Sequence, residues 1–253
     1  MPDRSRTFGA VAASYERFRP GYPDELVDAV LEYAARPIRT AFEIGAGTGK
    51  ATRAFAARGV VVTASDPDEA MLAELRRHVG GPVETVVGAF EDVAMSRTFD
   101  LVLAAAALHW TRAEGRWERI AALLPDGGVL ASFGGPTGLA DPALEEAAQR
   151  ARAPFVEDDG VRPPEGTTPG SPLGWPGNEL LRTPLFTDVR EVLLPRRLRM
   201  PAEEYLGLLS TISAYLVLPE EDREAALAAI RAVLPDTVDV TADLVLHLAR
   251  RVR

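Results

Sequence analysis

A glycine-rich segment between two acidic residues is the first part of the sequence that could do chemistry. Glu43 is followed by three glycines at alternate positions and then by a lysine: Gly45, Gly47, Gly49 and Lys50. Closely spaced glycines let the backbone approach a ligand, so this segment could hold a nucleoside triphosphate, a dinucleotide or another nucleoside. The plain structural interpretation is a tight turn between a strand and a helix that binds nothing.

The residues around Lys50 disfavour a triphosphate-binding loop. Ile44 stands at the first glycine position of that motif, and Ala51 replaces the hydroxyl residue that would hold magnesium. A dinucleotide fingerprint fits only in part, because Gly45 and Gly47 match while Lys50 occupies the place of the third glycine. Lys50 is therefore interpreted as a solvated helix residue.

A second acidic residue, Asp66, closes the next β-type run, about 20 residues beyond the glycine loop. At this position a carboxylate accepts hydrogen bonds from the hydroxyls of a ribose. Glu43 lies next to the end of the preceding run, so two consecutive predicted strands each carry an acid at or next to their carboxyl end. This arrangement indicates a ligand that contains a ribose.

The elements that must position these residues form an alternating pattern. Short β-type runs alternate with helical patterns and predict a parallel sheet with crossover helices. The predicted strands are 40–44, 60–66, 83–87, 99–105 and 129–133, and the helices between them cover about 50–58, 67–79 and 117–124. A doubly wound sheet of this kind binds its ligand at the carboxyl ends of its strands.

The pattern changes in the second half of the chain. Residues 154–177 contain six prolines and five glycines, which predicts a lid or cap loop. Beyond it we predict strands at 188–194 and 238–248 and helices at 202–215 and 220–233. The chain is interpreted as one domain, 1–253: a cap helix in 1–35, a cofactor-binding core in 36–135, a lid segment in 136–185, and the last strands with substrate-cap helices in 186–253.

Composition excludes several classes of function. The formal net charge of −9 and the pI near 5.0 disfavour nonspecific binding to nucleic acid. The basic clusters at 196–199 and 250–253 are interpreted as a solvated strand edge and a charged tail. There is no cysteine, so disulfides, thiolate zinc sites and a cysteine nucleophile are excluded. No leader segment and no apolar run of about 18 residues is found, and the expectation is a soluble cytoplasmic monomer or homodimer that binds no membrane.

Three further motifs lie in order along the chain: YERFRPGYP at 15–23, AALHW at 106–110 and LLPDGGVLASFG at 123–134. With the glycine loop and its two acids, the chain resembles the class I S-adenosylmethionine-dependent methyltransferases, and within them the subfamily that includes fungal trans-aconitate methyltransferase. The resemblance extends over nearly the whole chain. It implies an α/β fold with a Rossmann-like, doubly wound, seven-stranded, mostly parallel sheet and a helical and loop cap. It also implies S-adenosyl-L-methionine as the cofactor and a small-molecule acceptor.

The resemblance implies a role for each part of the cofactor site. The glycine loop would pack against the ribose and methionine, Glu43 would orient the amino group, and Asp66 would accept both ribose hydroxyls. The methionine carboxylate would be bound from an N-terminal helix, and the adenine would be flanked by residues after the second strand. The cofactor-binding residues implied in this way are Tyr15, Arg19, Glu43, Gly45, Ala46, Gly47, Thr48, Gly49, Asp66, Pro67, Met71, Ala89, Phe90, Glu91, Ala105 and Ala106.

One departure from the family concerns the adenine amine. Many relatives carry an aspartate after the glycine that follows the third strand, whereas here Ala89 and Phe90 follow Gly88. The resemblance then leaves the backbone of Ala89 and Phe90, or the side chain of Glu91, to contact the amine.

The acceptor side is less constrained by the sequence. His109 is the candidate catalytic residue, as a general base or as a neutral hydrogen-bonding wall of the pocket, and plain packing is a third interpretation. The residues expected near the acceptor are Tyr22, His109, Trp110, Trp175 and Tyr215. No metal is expected, because alanines, a leucine and a histidine follow the fourth strand where catechol-type methyltransferases place acids.

Two classes of function remain open on these residues. The first is metal-independent methyl transfer to the oxygen, nitrogen or carbon of a carboxylic acid or a natural-product-like metabolite. The second is a protein that binds S-adenosylmethionine without transferring methyl. A nicotinamide-dependent dehydrogenase is disfavoured by Lys50 and by the lack of a catalytic Tyr-Lys arrangement. A nucleic-acid methyltransferase is disfavoured by the acidic balance and by the missing Asn/Asp-Pro-Pro-Tyr/Phe motif.

Overall fold

The structure, a computed structural model, describes residues 11–81, 83–156 and 172–252. Its helices are α1 Ala12–Phe18, α2 Asp24–Ala34, α3 Lys50–Ala56, α4 Glu69–His78, α5 Arg116–Ala122, α6 Pro142–Arg152, α7 Gly177–Leu180, α8 Ala202–Ser210, α9 Ser213–Leu216 and α10 Glu220–Val233. Its strands are β1 Thr40–Ile44, β2 Val61–Asp66, β3 Val83–Val87, β4 Leu101–Ala105, β5 Val129–Gly134, β6 Gly138–Leu139, β7 Phe186–Leu194, β8 Arg197–Pro201, β9 Thr237–Thr241 and β10 Leu244–Arg251.

Seven strands form one sheet in the order β3-β2-β1-β4-β5-β10-β7. The first five strands of this order pair in parallel, and β10 pairs antiparallel to β5. The prediction of an α/β fold with a seven-stranded, mostly parallel sheet is thereby confirmed. The central strands β1, β4 and β5 are buried along nearly their whole length, as expected for short apolar runs that are covered on both faces.

The strand order reverses between β1 and β4. From β1 the chain moves outward through β2 and β3, and it then returns to add β4 on the other side of β1. Ile44 at the end of β1 pairs with Ser65 of β2 on one side and with Ala104 of β4 on the other. The carboxyl ends of these three strands therefore meet at one edge, which is where doubly wound sheets bind ligands.

The chain divides into two compact units. The sheet unit holds the seven-stranded sheet and comprises the described residues within 21–134, 162–194 and 245–253. The helix-rich unit comprises the described residues within 1–20, 135–161 and 195–244. The interpretation of the whole chain as one domain stays a prediction, as do its internal boundaries.

The helix-rich unit contains its own small sheet and its own core. Strands β6, β9 and β8 form an antiparallel three-stranded sheet. Helices α6, α8 and α10 contribute apolar side chains to a buried cluster that includes Ala148, Tyr205, Leu208 and Ile230. Helix α6 begins where the Asp141 side chain accepts hydrogen bonds from the first turn of the helix, as is typical of an N-cap.

Two predicted elements of the second half were wrong in extent. Residues 238–248 form two strands in different sheets, and the turn between them is held by the carboxylate of Asp243, which accepts a hydrogen bond from the Arg196 N–H at 2.8 Å. The predicted helix 202–215 ends at Ser210, because the hydroxyls of Ser210 and Thr211 donate to the carbonyls of Gly207 and Leu208. The predicted lid loop at 154–177 lies largely outside the described residues.

The interpretation of the C-terminal arginines as a solvated tail was also wrong for two of them. Arg250 donates to the carbonyl of Tyr33 at the end of α2, at 2.7 Å, and its guanidinium lies over the ring of Tyr33. Arg251 donates to the carbonyl of Leu124. Both side chains therefore satisfy carbonyl groups that would otherwise lack a partner at the ends of helices. Arg197 and Arg199, in contrast, are exposed on the edge strand β8 as predicted.

Within the part of the chain that the structure describes, no helix combines the length and the apolar composition needed to cross a membrane.

Candidate functional site

The glycine loop turns sharply between β1 and α3. Gly45 and Gly49 have φ angles of +62° and +82°, in the left-handed region that favours glycine. A Cβ added at Gly45 would lie 2.6 Å from the Cβ of Ala107, which follows β4. A Cβ added at Gly49 would lie 2.5 Å from Cγ of Leu75 on α4. Glycine is therefore required here by both the backbone conformation and the lack of space.

Asp66, at the end of β2, is bonded directly to this loop. Its Oδ2 accepts a hydrogen bond from the Gly47 N–H at 2.9 Å, and its Oδ1 accepts one from the Asp68 N–H at 2.9 Å. Burial raises the pKa of Asp66 to about 6, against the opposing effect of these two backbone bonds. Since each carboxylate oxygen has two acceptor positions, both oxygens retain the capacity to bind a hydroxyl group.

Glu43, at the end of β1, is fully buried. Its Oε2 accepts a hydrogen bond from the Thr52 hydroxyl at 2.6 Å, whereas its Oε1 is buried without a partner among the described residues. The Thr48 hydroxyl of the loop is buried in the same way. The pKa of Glu43 is raised to about 8, chiefly by burial and to a smaller extent by the charge of Asp66, against the lowering effect of the Thr52 bond. Unpaired buried polar atoms cost about 1–3 kcal/mol each, so these two indicate a place for a polar ligand.

The residues predicted to contact adenine differ in how deeply they are buried. Met71 is buried with its Cε 3.6 Å from a Cβ built on Gly47, so its side chain lies against the loop. Pro67 and Ala89 are half-buried. Phe90 packs in the core, and its carbonyl accepts a hydrogen bond from Nε of Arg119 at 2.7 Å. Its side chain and carbonyl are thus already engaged.

Glu91 is half-buried, and its carboxylate accepts a hydrogen bond from the backbone N–H of Arg112. It thereby connects the segment after β3 to the loop before α5. Its predicted contact with the adenine amine stays a prediction.

Two small residues lie at the carboxyl end of β4 and directly after it. Ala105 is half-buried and Ala106 is exposed. Ala106 has a φ angle of +52°, and its N–H donates to the carbonyl of Phe133 at 2.7 Å. A residue with a Cβ in this conformation stores strain of about 1–2 kcal/mol, which is often found at binding sites.

His109 and Trp110 follow in a 3₁₀ turn, Leu108–Trp110. Their ring centroids are 4.8 Å apart, and the indole of Trp110 is 42% exposed. Burial lowers the pKa of His109, and the charge of Arg116 lowers it further. The imidazole is therefore neutral at neutral pH, which suits both a general base and a hydrogen-bonding wall.

Tyr22, which the sequence analysis predicts to contact the acceptor, lies at the same edge of the sheet. Its ring packs edge-to-face against Phe133 at the end of β5, with the centroids 4.9 Å apart. Trp175, the next predicted acceptor contact, packs instead against a core cluster of the sheet unit that includes Phe186. Its indole N–H donates to Glu179 at 3.1 Å, and the guanidinium of Arg116 lies 5.5 Å from its ring.

Tyr15, Arg19 and Tyr215 belong to the helix-rich unit. The Nε of Arg19 donates to the Thr211 hydroxyl at 2.9 Å, and its guanidinium lies 5.3 Å from the ring of Tyr15. Tyr215 is fully buried in the core of this unit. The roles predicted for these three residues stay predictions.

Three residues of the site were missed by the sequence analysis. Thr52 follows the glycine loop on α3, Arg116 begins α5, and Glu179 lies on α7. Each of these residue types is common at solvated helix positions, and no pattern in the neighbouring sequence marks these three as part of a site. Among the residues that the structure describes, no group of three or more histidine or acidic side chains is arranged to hold a metal ion.

Residues 41–128, which include the glycine loop, Asp66 and the histidine turn, match a family described as a methyltransferase domain. These residues are similar to class I S-adenosylmethionine-dependent methyltransferase domains. An uncharacterized methyltransferase of Mycobacterium tuberculosis is 38% identical to this chain over 129 residues, which cover 51% of each protein. The chain thus spans about half the length of this relative.

Solved structures extend the likeness of the methyltransferase domain to the rest of the chain. A candidate type II methyltransferase from Anaeromyxobacter dehalogenans gives a TM-score of 0.67 at 25% identity, covering 93% of this chain and 99% of that chain. A phosphoethanolamine N-methyltransferase of Haemonchus contortus, solved with phosphomonomethylethanolamine and S-adenosylhomocysteine, gives a TM-score of 0.54 at 16% identity, covering 97% and 58%. This second likeness shows the fold alone.

Gly45→Ala is expected to destabilise the methyltransferase domain by about 1–3 kcal/mol, because the new Cβ adds a collision with Ala107 to an unfavourable φ angle. Gly59→Ala is the matched control, since Gly59 has a φ of +81° but open space around it. Urea unfolding of both variants measures the difference. Equal destabilisation would show that the close approach to Ala107 does not matter.

Glu43→Gln is expected to change how stability depends on pH. The pKa of Glu43 is raised from 4.5 to about 8 in the folded protein, so the folded state holds this proton more tightly than the unfolded state. The favourable contribution is complete below pH 4.5 and is lost as the pH rises through about 8, by about 1 kcal/mol per pH unit.

The free energy of unfolding from urea titrations between pH 6 and pH 9 checks this expectation. Wild type should lose stability with rising pH more steeply than Glu43→Gln. Glu25→Gln, on an exposed position of α2, changes the net charge equally and should follow wild type. Identical slopes for wild type and Glu43→Gln would contradict the raised pKa.

Proposed function

We propose that the chain transfers a methyl group from S-adenosyl-L-methionine to a small organic acceptor without a metal ion. The observation that carries this proposal is the pair of buried acids, Glu43 and Asp66, on either side of a glycine loop at the point where the strand order reverses. The proposal extends from the family of residues 41–128 to the activity of the whole chain.

The polar atoms of the loop fit a cofactor that carries a ribose and an amine. Asp66 is fixed by two backbone N–H groups and retains acceptor capacity for two ribose hydroxyls. Oε1 of Glu43 and the hydroxyl of Thr48 are buried without partners in the described part of the chain, and they could bind the amine and a second polar group. A cation beside Glu43 would favour its ionised form, whereas a pyrophosphate would oppose it.

The same loop would allow a ligand to approach the backbone closely. Gly45 and Gly47 carry no side chain between the loop and the space at the end of β1, and Met71 closes the side near Gly47. Ala105 and Ala106 place only small side chains at the end of β4. When bound, S-adenosylmethionine supplies a methyl group that its sulfonium already activates for in-line displacement. The residues of the chain therefore need mainly to orient the acceptor and to exclude water.

The acceptor side is formed by neutral and aromatic groups. His109 is held neutral by burial and by the charge of Arg116, so its imidazole can take a hydrogen bond or a proton from an acceptor. Trp110 and Tyr22 add aromatic surface at the same edge of the sheet unit. These groups favour a small, partly apolar molecule, which we propose to be a carboxylic acid or a natural-product-like metabolite, as in the subfamily of trans-aconitate methyltransferase.

Calorimetry with S-adenosylmethionine, combined with an assay for S-adenosylhomocysteine across a panel of small acceptors, tests the proposal. We expect micromolar or tighter binding and turnover with at least one carboxylic acid, phenol or amine. Binding without turnover on any acceptor would favour a protein that binds the cofactor for another purpose. Saturable binding of NAD but not of S-adenosylmethionine would contradict the cofactor assignment.

Asp66→Asn is expected to weaken binding of S-adenosylmethionine by about 10-fold to 100-fold, because an amide nitrogen cannot accept a ribose hydroxyl. Wild-type affinity should also fall as the pH is lowered through about 6, where Asp66 takes up a proton, and the variant should lack most of this dependence. Asp68→Asn is the control, since it removes a neighbouring charge and leaves a good N-cap on α4. Equal affinity of wild type and Asp66→Asn at pH 7.5 would refute the ribose assignment.

His109→Ala is expected to lower kcat by about 100-fold or more while the dissociation constant of the cofactor changes less than about threefold. His78→Gln, a half-exposed surface substitution on α4, serves as the control. Steady-state kinetics with the best acceptor and calorimetry on the same preparations separate the two effects. Equal losses in turnover and in cofactor affinity would point to a structural role for His109.

A further inference from the structure

The turn that carries His109 is bound from one side by a buried arginine. Arg116 begins α5, and its side chain is 5% exposed. Its Nε donates to the hydroxyl of Thr111 at 2.7 Å, and its Nη2 donates to the carbonyl of the same residue at 2.7 Å. The Thr111 hydroxyl in turn donates to the carbonyl of Leu108 at 2.7 Å. The residues on both sides of the His109–Trp110 pair are thereby linked to one guanidinium group.

The same guanidinium is held from its other side by an acid and two indoles. The carboxylate of Glu179 accepts the indole N–H groups of Trp117 and Trp175, each at 3.1 Å, and lies 3.7 Å from Nη1 of Arg116. The guanidinium lies 5.7 Å from the ring of Trp117 and 5.5 Å from that of Trp175. A planar cation between a carboxylate and aromatic rings has little freedom to move.

We propose that Arg116 is a positioning residue for His109: through Thr111 it fixes the 3₁₀ turn, and it places a fixed positive charge against that turn. This inference rests on the proposed function, because it assigns a role within the same site. Arginine is suited to it, since the fork of N–H donors can bind the hydroxyl and the carbonyl of Thr111 at once. The single ammonium group of a lysine cannot reproduce that geometry.

The charge of Arg116 has a consequence for the state of His109. Together with burial it keeps the pKa of the imidazole below its ordinary value. The acidic groups whose charges act on Arg116 are Glu179 on α7, Glu91 after β3 and Glu114 before α5. Their charges oppose the lowering of the Arg116 pKa by burial, and the guanidinium stays positively charged. A neutral imidazole presents a lone pair to the acceptor over a wider range of pH than a histidine without this neighbour.

Three variants separate the geometric role of Arg116 from its charge. Thr111→Val removes the hydroxyl that links Arg116 to Leu108 and leaves the charge in place. Arg116→Lys keeps a positive charge and loses the fork. Arg116→Gln removes the charge. Arg112→Gln is the control for net charge, since the side chain of Arg112 is exposed in the neighbouring loop.

The readouts are an NMR titration of the histidine ring protons, steady-state kinetics, and calorimetry with S-adenosylmethionine. The His109 signal is identified by its loss in His109→Gln, and His78 and His247 serve as internal references in each spectrum. We expect Arg116→Gln to raise the pKa of His109 and leave the other two histidines unchanged. We expect Thr111→Val and Arg116→Lys to lower kcat by about 10-fold to 100-fold, with cofactor affinity within about twofold of wild type. Arg112→Gln should match wild type throughout.

An unchanged His109 pKa in Arg116→Gln would overturn the electrostatic part of the inference, and an unchanged kcat in Thr111→Val would overturn the geometric part. Parallel loss of kcat and cofactor affinity in Thr111→Val would show a general structural role and would also overturn it. If Arg116→Gln does not fold, Thr111→Val and Arg116→Lys still decide the geometric part. If the wild type transfers no methyl group, the proposed function fails, whereas the NMR titration of the free protein still decides the electrostatic part.

Discussion

The hydrogen bonds of Asp66 connect the sheet to the candidate site. One carboxylate oxygen holds the Gly47 N–H of the loop after β1, and the other holds the Asp68 N–H at the start of α4. The ends of two neighbouring strands are thereby fixed to each other at the edge where the strand order reverses. The close contact between Gly45 and Ala107 and the position of Met71 against Gly47 belong to the same arrangement. The doubly wound sheet brings the carboxyl ends of its strands to one edge, and the buried carboxylate of Asp66 fixes the glycine loop at that edge.

Burial of ionisable groups gives the site its electrostatic character. Glu43 and Asp66 have raised pKa values because they lie in the protein interior, and His109 has a lowered pKa for the same reason. At neutral pH Glu43 is mostly protonated and would ionise beside a cation, whereas Asp66 is mostly ionised and can accept hydrogen bonds from hydroxyl groups. The neutral imidazole of His109 can accept a proton. Groups with shifted pKa values that cluster at the carboxyl ends of the strands of an α/β sheet are typical of binding and catalytic sites.

Much of the fold could be predicted from the sequence, because its signals are local. The strands 40–44 and 83–87 were predicted with their observed bounds, and the others of the first half differ by a residue or two. Short apolar runs between glycine-rich and proline-rich turns leave few alternatives there. The errors in the second half have a different origin. The division of 238–248 into two strands depends on Asp243 and Arg196, which are 47 residues apart, and the end of α8 depends on hydroxyls that bond to their own helix.

The sequence by itself determined the glycine loop, the acids at the ends of two consecutive strands and the resemblance to class I S-adenosylmethionine-dependent methyltransferases, because each of the motifs concerned lies within a short stretch of chain. Only the tertiary structure decided which partners these groups have. Trp117 and Glu179 are 62 residues apart, and the segment carrying Glu179 brings a carboxylate to Arg116 and hence to the turn of His109. An arginine at the start of an amphipathic helix is typical of a solvated position, and its burial follows only from what the fold packs against it. Contacts between distant segments are not encoded in local spacing, and for that reason the surroundings of His109 became visible only in three dimensions.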